Sequence, residues 1–145
     1  MALNVYLNFK GNCREAVEFY AQVFGAEQPQ FMTFGDSPPS PDFTLPEEAK
    51  NLIMHTFIHI SGRKVMFSDV FPNMPFVVGN NVSLTLNSHN MDELQSAFDQ
   101  LKEGGTVAMD LQETFWSKGY GSLTDKFGIV WQFNLDPEDE ECGTK

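Results

Sequence analysis

The chain has 145 residues, 16.4 kDa, with 41% hydrophobic residues and 14 Phe, which supports one domain, or two small halves sharing a core, and excludes wholesale disorder. Nine Lys and Arg stand against 20 Asp and Glu, a net charge of −11, so the clustered cations that nucleic acid or an anionic membrane surface require are missing. No apolar run approaches the roughly 20 residues of a membrane span, and MALNVYLNFKGN lacks the basic-then-apolar pattern of a signal peptide, so a soluble cytoplasmic protein is expected.

Residues 3–9 alternate and predict a strand. Asn12 can cap a helix whose apolar positions Ala16, Val17, Phe19, Tyr20 and Val23 follow helical spacing, with Gly25 as its stop. A short strand is expected at about 28–34. Residues 35–51 carry four of the eight prolines and predict mostly loop. Two strands, about 53–60 and 63–69, flank Ser61-Gly62, which suits a tight hairpin turn. Residues 70–80 form a Pro-containing connection.

The order then repeats. A strand is expected at 81–87 and an amphipathic helix at 91–103, with Leu94, Phe98 and Leu101 inward and Gly104-Gly105 ending it. Strands follow at about 106–112, 119–124 and 129–135, with a turn at Asp125-Lys126-Phe127-Gly128. The pattern is βαβββ twice, spaced by roughly 75–80 residues. The predicted fold class is α+β: two βαβββ modules forming a curved, partly open mixed sheet with helices on the convex face. It is read as one domain, with module one at about 1–70, a linker at 71–80, module two at about 81–135 and an acidic, fraying tail at 136–145. Phe24, Phe98, Phe127 and Phe133 are expected between helices and sheet. The concave side is where a ligand is expected.

This order, with Glu15-Ala16-Val17-Glu18-Phe19-Tyr20 and Phe24-Gly25 on the first helix, resembles the glyoxalase / bleomycin resistance / extradiol dioxygenase (vicinal oxygen chelate) superfamily. More narrowly the chain resembles its PhnB-like branch. The supporting segments are Gly11-Asn12-Cys13, Ile53-Met54-His55, Val65-Met66-Phe67-Ser68-Asp69, and the run from Leu111-Gln112-Glu113-Thr114-Phe115-Trp116 through Tyr120-Gly121 and Asp125-Lys126-Phe127-Gly128 to Trp131. Branch members carry the label 3-demethylubiquinone 3-methyltransferase. No G-x-G-x-x-G run or comparable nucleotide-binding turn occurs here, so nothing in the residues supports methyl transfer.

The resemblance implies a metal in the concave face, held by His, Glu or Gln from the first and last strands of each half. Counting from the shared helix and the DKFG turn places those positions at Val5, Met66 to Ser68, Ser83 and Gln132. Only Gln132 is a competent ligand type, and it is neutral. If Val5 and its alternating neighbours face the helices instead, Tyr6 and Asn8 turn to the cleft, and neither adds an imidazole or carboxylate. Asp69 supplies one oxygen at most, or ends its strand or bonds the backbone of the following turn. His55 and His59 share a strand face but stand about 13 Å apart, at roughly 3.3 Å per residue, too far for one metal; His89 sits in a turn. No metal and no cofactor are therefore expected.

Other candidates remain. Cys13 at a helix N-terminus reads either as an activated thiolate or as a buried structural thiol; with Cys142 it makes two reduced thiols, not a framework. Glu113 beside Trp116, Lys118 and Tyr120 is a weak candidate general base, or part of a loop that closes over a ligand. By parity His55, Phe57, His59, Ser83, Thr85, Tyr120, Ser122 and Gln132 can point into the cleft. With Trp116, the expected ligand-binding set is His55, Phe57, His59, Ser83, Trp116, Tyr120 and Gln132. Phe71 and Phe76 are candidates for meeting a second chain, and the resemblance implies a homodimer. The expected function is binding of a small, partly apolar molecule without metal. The alternatives are a metal-dependent or acid/base lyase, isomerase or dioxygenase, and an interaction protein with no small ligand.

Overall fold

The computed structural model describes residues 1–38 and 40–137. Cys142 and residues 138–141 of the acidic tail lie outside them. The chain divides into two compact units, the first at residues 1–77 and the second from Val78 onward. Among the described residues no helix is long and apolar enough to cross a membrane.

The first unit runs β1 (Val5–Phe9), α1 (Cys13–Phe24), β2 (Met32–Thr33), β3 (Ile53–Ile60) and β4 (Arg63–Asp69), giving a mixed sheet of order β1-β4-β3-β2. β1 runs parallel to β4, and β3 lies antiparallel to both its neighbours. Register decides the faces. Val5, Val65 and Ile58 align across the sheet, as do Leu7, Phe67 and Thr56. These residues share a face with buried Phe9 and pack on α1, whose buried residues are Cys13, Ala16, Val17 and Tyr20. The alternate positions Tyr6, Met66 and Phe57 therefore occupy the other face. β3 and β4 match the expected spans residue for residue, because Ser61 (φ 51°) and Gly62 (φ 76°) supply the two left-handed positions that a two-residue hairpin turn needs.

Two local expectations need correction. Asn12 stands at the N-cap position of α1, but its side chain makes no capping hydrogen bond. The side-chain oxygen Oδ1 of Asp69 takes that role, accepting from Gly11 N at 2.8 Å and Cys13 N at 3.0 Å, while Oδ2 accepts from Ile53 N at 2.9 Å. The expected strand at 28–34 shrinks to Met32–Thr33, since Pro29 offers no ladder donor and Gln30 gives its carbonyl to Thr56 Oγ1 instead. Within the proline-rich loop, Phe34–Asp36 and Glu47–Ala49 each form a turn of 3₁₀-helix.

The second unit repeats the order with β5 (Ser83–Ser88), α2 (Met91–Leu101), β6 (Thr106–Gln112), β7 (Tyr120–Thr124) and β8 (Val130–Leu135), in a sheet ordered β5-β8-β7-β6. Asn90 caps α2 in full, accepting from Asp92 N and Glu93 N. Leu94, Ala97, Phe98 and Leu101 of α2 are buried, as are Leu86, Leu123, Trp131 and Phe133 of the sheet. Phe98 meets Phe133 edge-to-face at 5.1 Å. Asp125, also buried, accepts from Phe127 N, Ile129 N and the Trp131 indole Nε1.

Asp69→Asn turns one acceptor of a buried three-donor site into an amide NH2 facing backbone N–H groups. The substitution is expected to destabilise the chain by about 3 kcal/mol, since hydrogen bonds to charged groups contribute roughly 1.5–3 kcal/mol each; the urea midpoint measures it.

Candidate functional site

The second sheet's face away from α2 is mostly polar. Register sets Thr85, Gln132, Ser122 and Met109 in one transverse row, and Asn87, Asn134, Tyr120 and Gln112 in the next. Gln132 links the rows. Its Oε1 accepts the Tyr120 hydroxyl proton at 2.7 Å, and its Nε2 donates to Ser83 Oγ at 2.6 Å. Trp116 packs edge-on against Tyr120 at 5.5 Å and stays 54% exposed. Phe115 stands against Trp116 at 4.7 Å and is almost wholly exposed. The loop that carries them is tied by its own bonds: Thr114 N donates to Ser117 O, and Ser117 Oγ to Gly119 O. Glu113 is exposed, so its carboxylate stays hydrated; it lines a recess of about 400 Å³ together with Trp116, Lys118 and Asp136. Four expected site residues, Ser83, Trp116, Tyr120 and Gln132, thus form one connected group.

His55, Phe57 and His59 lie on the first sheet's face away from α1, with Tyr6. Ring centroids run 5.9 Å from Tyr6 to His55, 6.5 Å to Phe57 and 5.8 Å to His59, and Lys64 Nζ sits 4.4 Å from the Phe57 centroid. Tyr6 Oη is 3.3 Å from His55 Nδ1. His59 is held by Glu27, whose Oε1 lies 2.7 Å from His59 Nδ1 and accepts from His59 N at 3.1 Å. That hydrogen bond keeps the Glu27 carboxyl below its ordinary value near 4.5. Tyr6 and Glu27 as partners were not read from sequence; both contacts join residues far apart in the chain.

Cys13 is fully buried, and burial, with Asp69 beside it, pushes its thiol well above the ordinary range. The activated-thiolate alternative is thereby overturned: desolvation outweighs the helix N-terminus. Phe71, a candidate for meeting a second chain, packs within its own unit, 5.3 Å from Phe34 and 6.0 Å from Phe43.

The profile of the family described as 3-demethylubiquinone-9 3-methyltransferase matches residues 2–134. Protein YjdN of Escherichia coli (strain K12) is 35% identical over 144 residues, covering 93% of this chain and 95% of YjdN. The crystal structure of protein PA1353 from Pseudomonas aeruginosa superposes with a TM-score of 0.82 at 35% identity, covering 95% and 99% of the two chains. The PhnB protein from Bacillus cereus shares the fold, with a TM-score of 0.74 at 24% identity over 94% of this chain and all of that one. The chain belongs to this PhnB-like family of the glyoxalase superfamily.

The superfamily's metal can be tested against the donors of this PhnB-like chain. Val5 faces α1, so the first strand offers Tyr6 or Asn8 instead. The fourth strand offers Met66 and Ser68, and Ser68 Oγ already donates to Asn8 Oδ1. Ser83 and Gln132 are bonded to each other, and the carbonyl oxygen of Gln132 holds the Tyr120 hydroxyl. Asp69 faces the helix side with both oxygens on backbone N–H groups. No carboxylate or imidazole occupies the four positions, and among the described residues no group of three His, Cys, Asp or Glu comes together. These donors do not fit a divalent ion.

Two measurements follow. In a Cys142→Ser chain, Ellman's reagent is expected to leave Cys13 unlabelled until the protein is unfolded. His59→Ala is expected to raise the Glu27 carboxyl toward its ordinary value in an NMR titration. Glu27's folded value is lowered, so its small contribution to stability is present above about pH 4.5 and fades as pH falls through the folded value; the variant loses that pH dependence.

Proposed function

We propose that the chain binds a small, partly apolar molecule on its open sheet face without a metal or other cofactor. The observation that carries this reading is the Tyr120–Gln132–Ser83 chain lying beside the exposed ring of Trp116. An aromatic surface with a few fixed polar anchors is the usual composition of a small-molecule site. His55 and Phe57, on the open face of the first sheet, supply a second surface of the same kind. In this reading the chain works in the cytoplasm as a homodimer, with neither nucleic acid nor membrane as partner. Methyl transfer, the activity in the family's description, forms no part of it, because the sequence has no glycine-rich nucleotide-binding turn.

One observation favours a second reading, acid/base catalysis. Tyr6 Oη and His55 Nδ1 are within hydrogen-bond reach, a pair through which a proton can pass. The two readings separate in one experiment. A library of neutral heteroaromatic fragments is screened by NMR, and the mixtures are analysed for chemical change. Binding without turnover, perturbing the Trp116 and Gln132 side-chain signals and weakened about tenfold by Gln132→Leu or Tyr120→Phe, is the expected outcome. Turnover abolished by His55→Ala establishes the second reading. Near-stoichiometric nickel, zinc, manganese or iron in protein purified without a tag sinks both.

A further inference from the structure

The first unit contains a recess of about 600 Å³ that shares no residue with the Tyr120–Gln132–Ser83 group. Its size lies within the roughly 300–1,000 Å³ of ordinary ligand pockets. Phe34, Phe43, Leu45 and Phe71 supply its apolar walls. Phe34 crosses Phe71 nearly at right angles (80°), and Phe43 is tilted by 52°. Phe43 is left 55% exposed, so its ring belongs to the recess and not to the core.

The walls are built before any ligand arrives. Phe34 N donates to Leu52 O and Gly35 N to Lys50 O, both at 3.0 Å, closing the base of the loop. A side chain at Gly35 would come within 2.8 Å of the Lys50 carbonyl oxygen, so only glycine permits this approach. Thr33 and Asp36 cap the first 3₁₀ turn reciprocally. The loop is 17 residues long by sequence, 35–51, and four of these are proline. Proline lowers the entropy lost when such a loop is held in one shape.

Lys50 is the one charged side chain among the described residues lining the recess, in a chain with only nine Lys and Arg. Its ammonium is held by Glu47 at 2.6 Å, with both side chains largely in water. A surface pair of this kind contributes little. A ligand carboxylate that also brings a ring between the Phe walls can displace Glu47.

We propose that this recess is a second binding site, for a small planar aromatic molecule carrying a carboxylate. The probe is 1-naphthoate, titrated into the full chain by calorimetry and by amide NMR, with 1-naphthalenemethanol as its neutral counterpart. Saturable binding that shifts the Gly35 and Phe43 amides is expected. Phe43→Ala and Lys50→Ala should each weaken it about tenfold, Glu47→Gln should tighten it about threefold, and the alcohol should bind about tenfold more weakly. Phe43 and Lys50 are exposed enough that their removal leaves the fold intact, which the amide spectrum checks. Failure of naphthoate to saturate, or equal affinity in the Phe43 variant, overturns the site. Equal affinity for the alcohol, or none lost with Lys50→Ala, overturns the carboxylate assignment. Loss of binding in Gln132→Leu with Phe43→Ala unaffected moves the naphthoate to the other sheet and also overturns the proposal, while leaving the proposed function standing.

Discussion

A carboxylate taken out of water is stable only where the protein replaces its hydration with donors. Asp69 has this arrangement. It sits at the end of β4 and takes N–H groups from the turn before α1, from the first residue of α1 and from the first residue of β3. One side chain therefore ties together three segments far apart in sequence, and it does so at the edge of the core, beside Cys13. Asp125 performs a comparable task in the second unit, where it closes the 125–129 turn and holds the Trp131 indole. In each unit a buried acid is committed to backbone or indole donors, and Asp69 ties its sheet to α1.

With the sheets so fixed, the two-residue period of the strands separates structure from chemistry. In both units one face is given to Phe, Val, Ile, Leu or Trp and packs on a helix. The other faces differ. The first unit presents an aromatic and histidine row, Tyr6, His55, Phe57 and His59, crossed by Lys64. The second presents hydroxyls and amides from Thr85, Asn87, Ser122, Gln132 and Asn134. Two modules with the same element order thus differ on the faces left open, and function follows those faces and not the order of elements.

Much of this was legible because it is local. The spans of β3, β4 and β6 follow from alternation and from Ser61-Gly62, and Gln132, Ser83 and Tyr120 share a face by counting alone. What escaped the sequence is what depends on distant partners. Asn12 has the right residue type for a cap, yet Asp69, 56 residues beyond Cys13, takes the Cys13 N–H in its place. The Tyr6–His55 and Glu27–His59 contacts span 49 and 32 residues. The grouping of Phe34, Phe43 and Phe71 required the loop at 35–51 to fold back on the exit of β4, which no periodicity announces.

The chemistry of the Gln132 group also sets what it can recognise. An amide accepts through its oxygen and donates through its nitrogen, and in Gln132 both ends orient neighbours. Because Ser83 Oγ accepts from Gln132, its own proton points elsewhere and can be donated to a ligand. Because the Tyr120 hydroxyl donates to Gln132, its oxygen lone pairs remain as an acceptor. The group therefore offers hydroxyl and amide donors and acceptors with no formal charge. None of these side chains carries a formal charge with which to hold an ion. In the proposed reading, the occupant that loses least on leaving water is a neutral molecule whose polar edge pairs with Ser83 and Tyr120 while its apolar body covers Trp116.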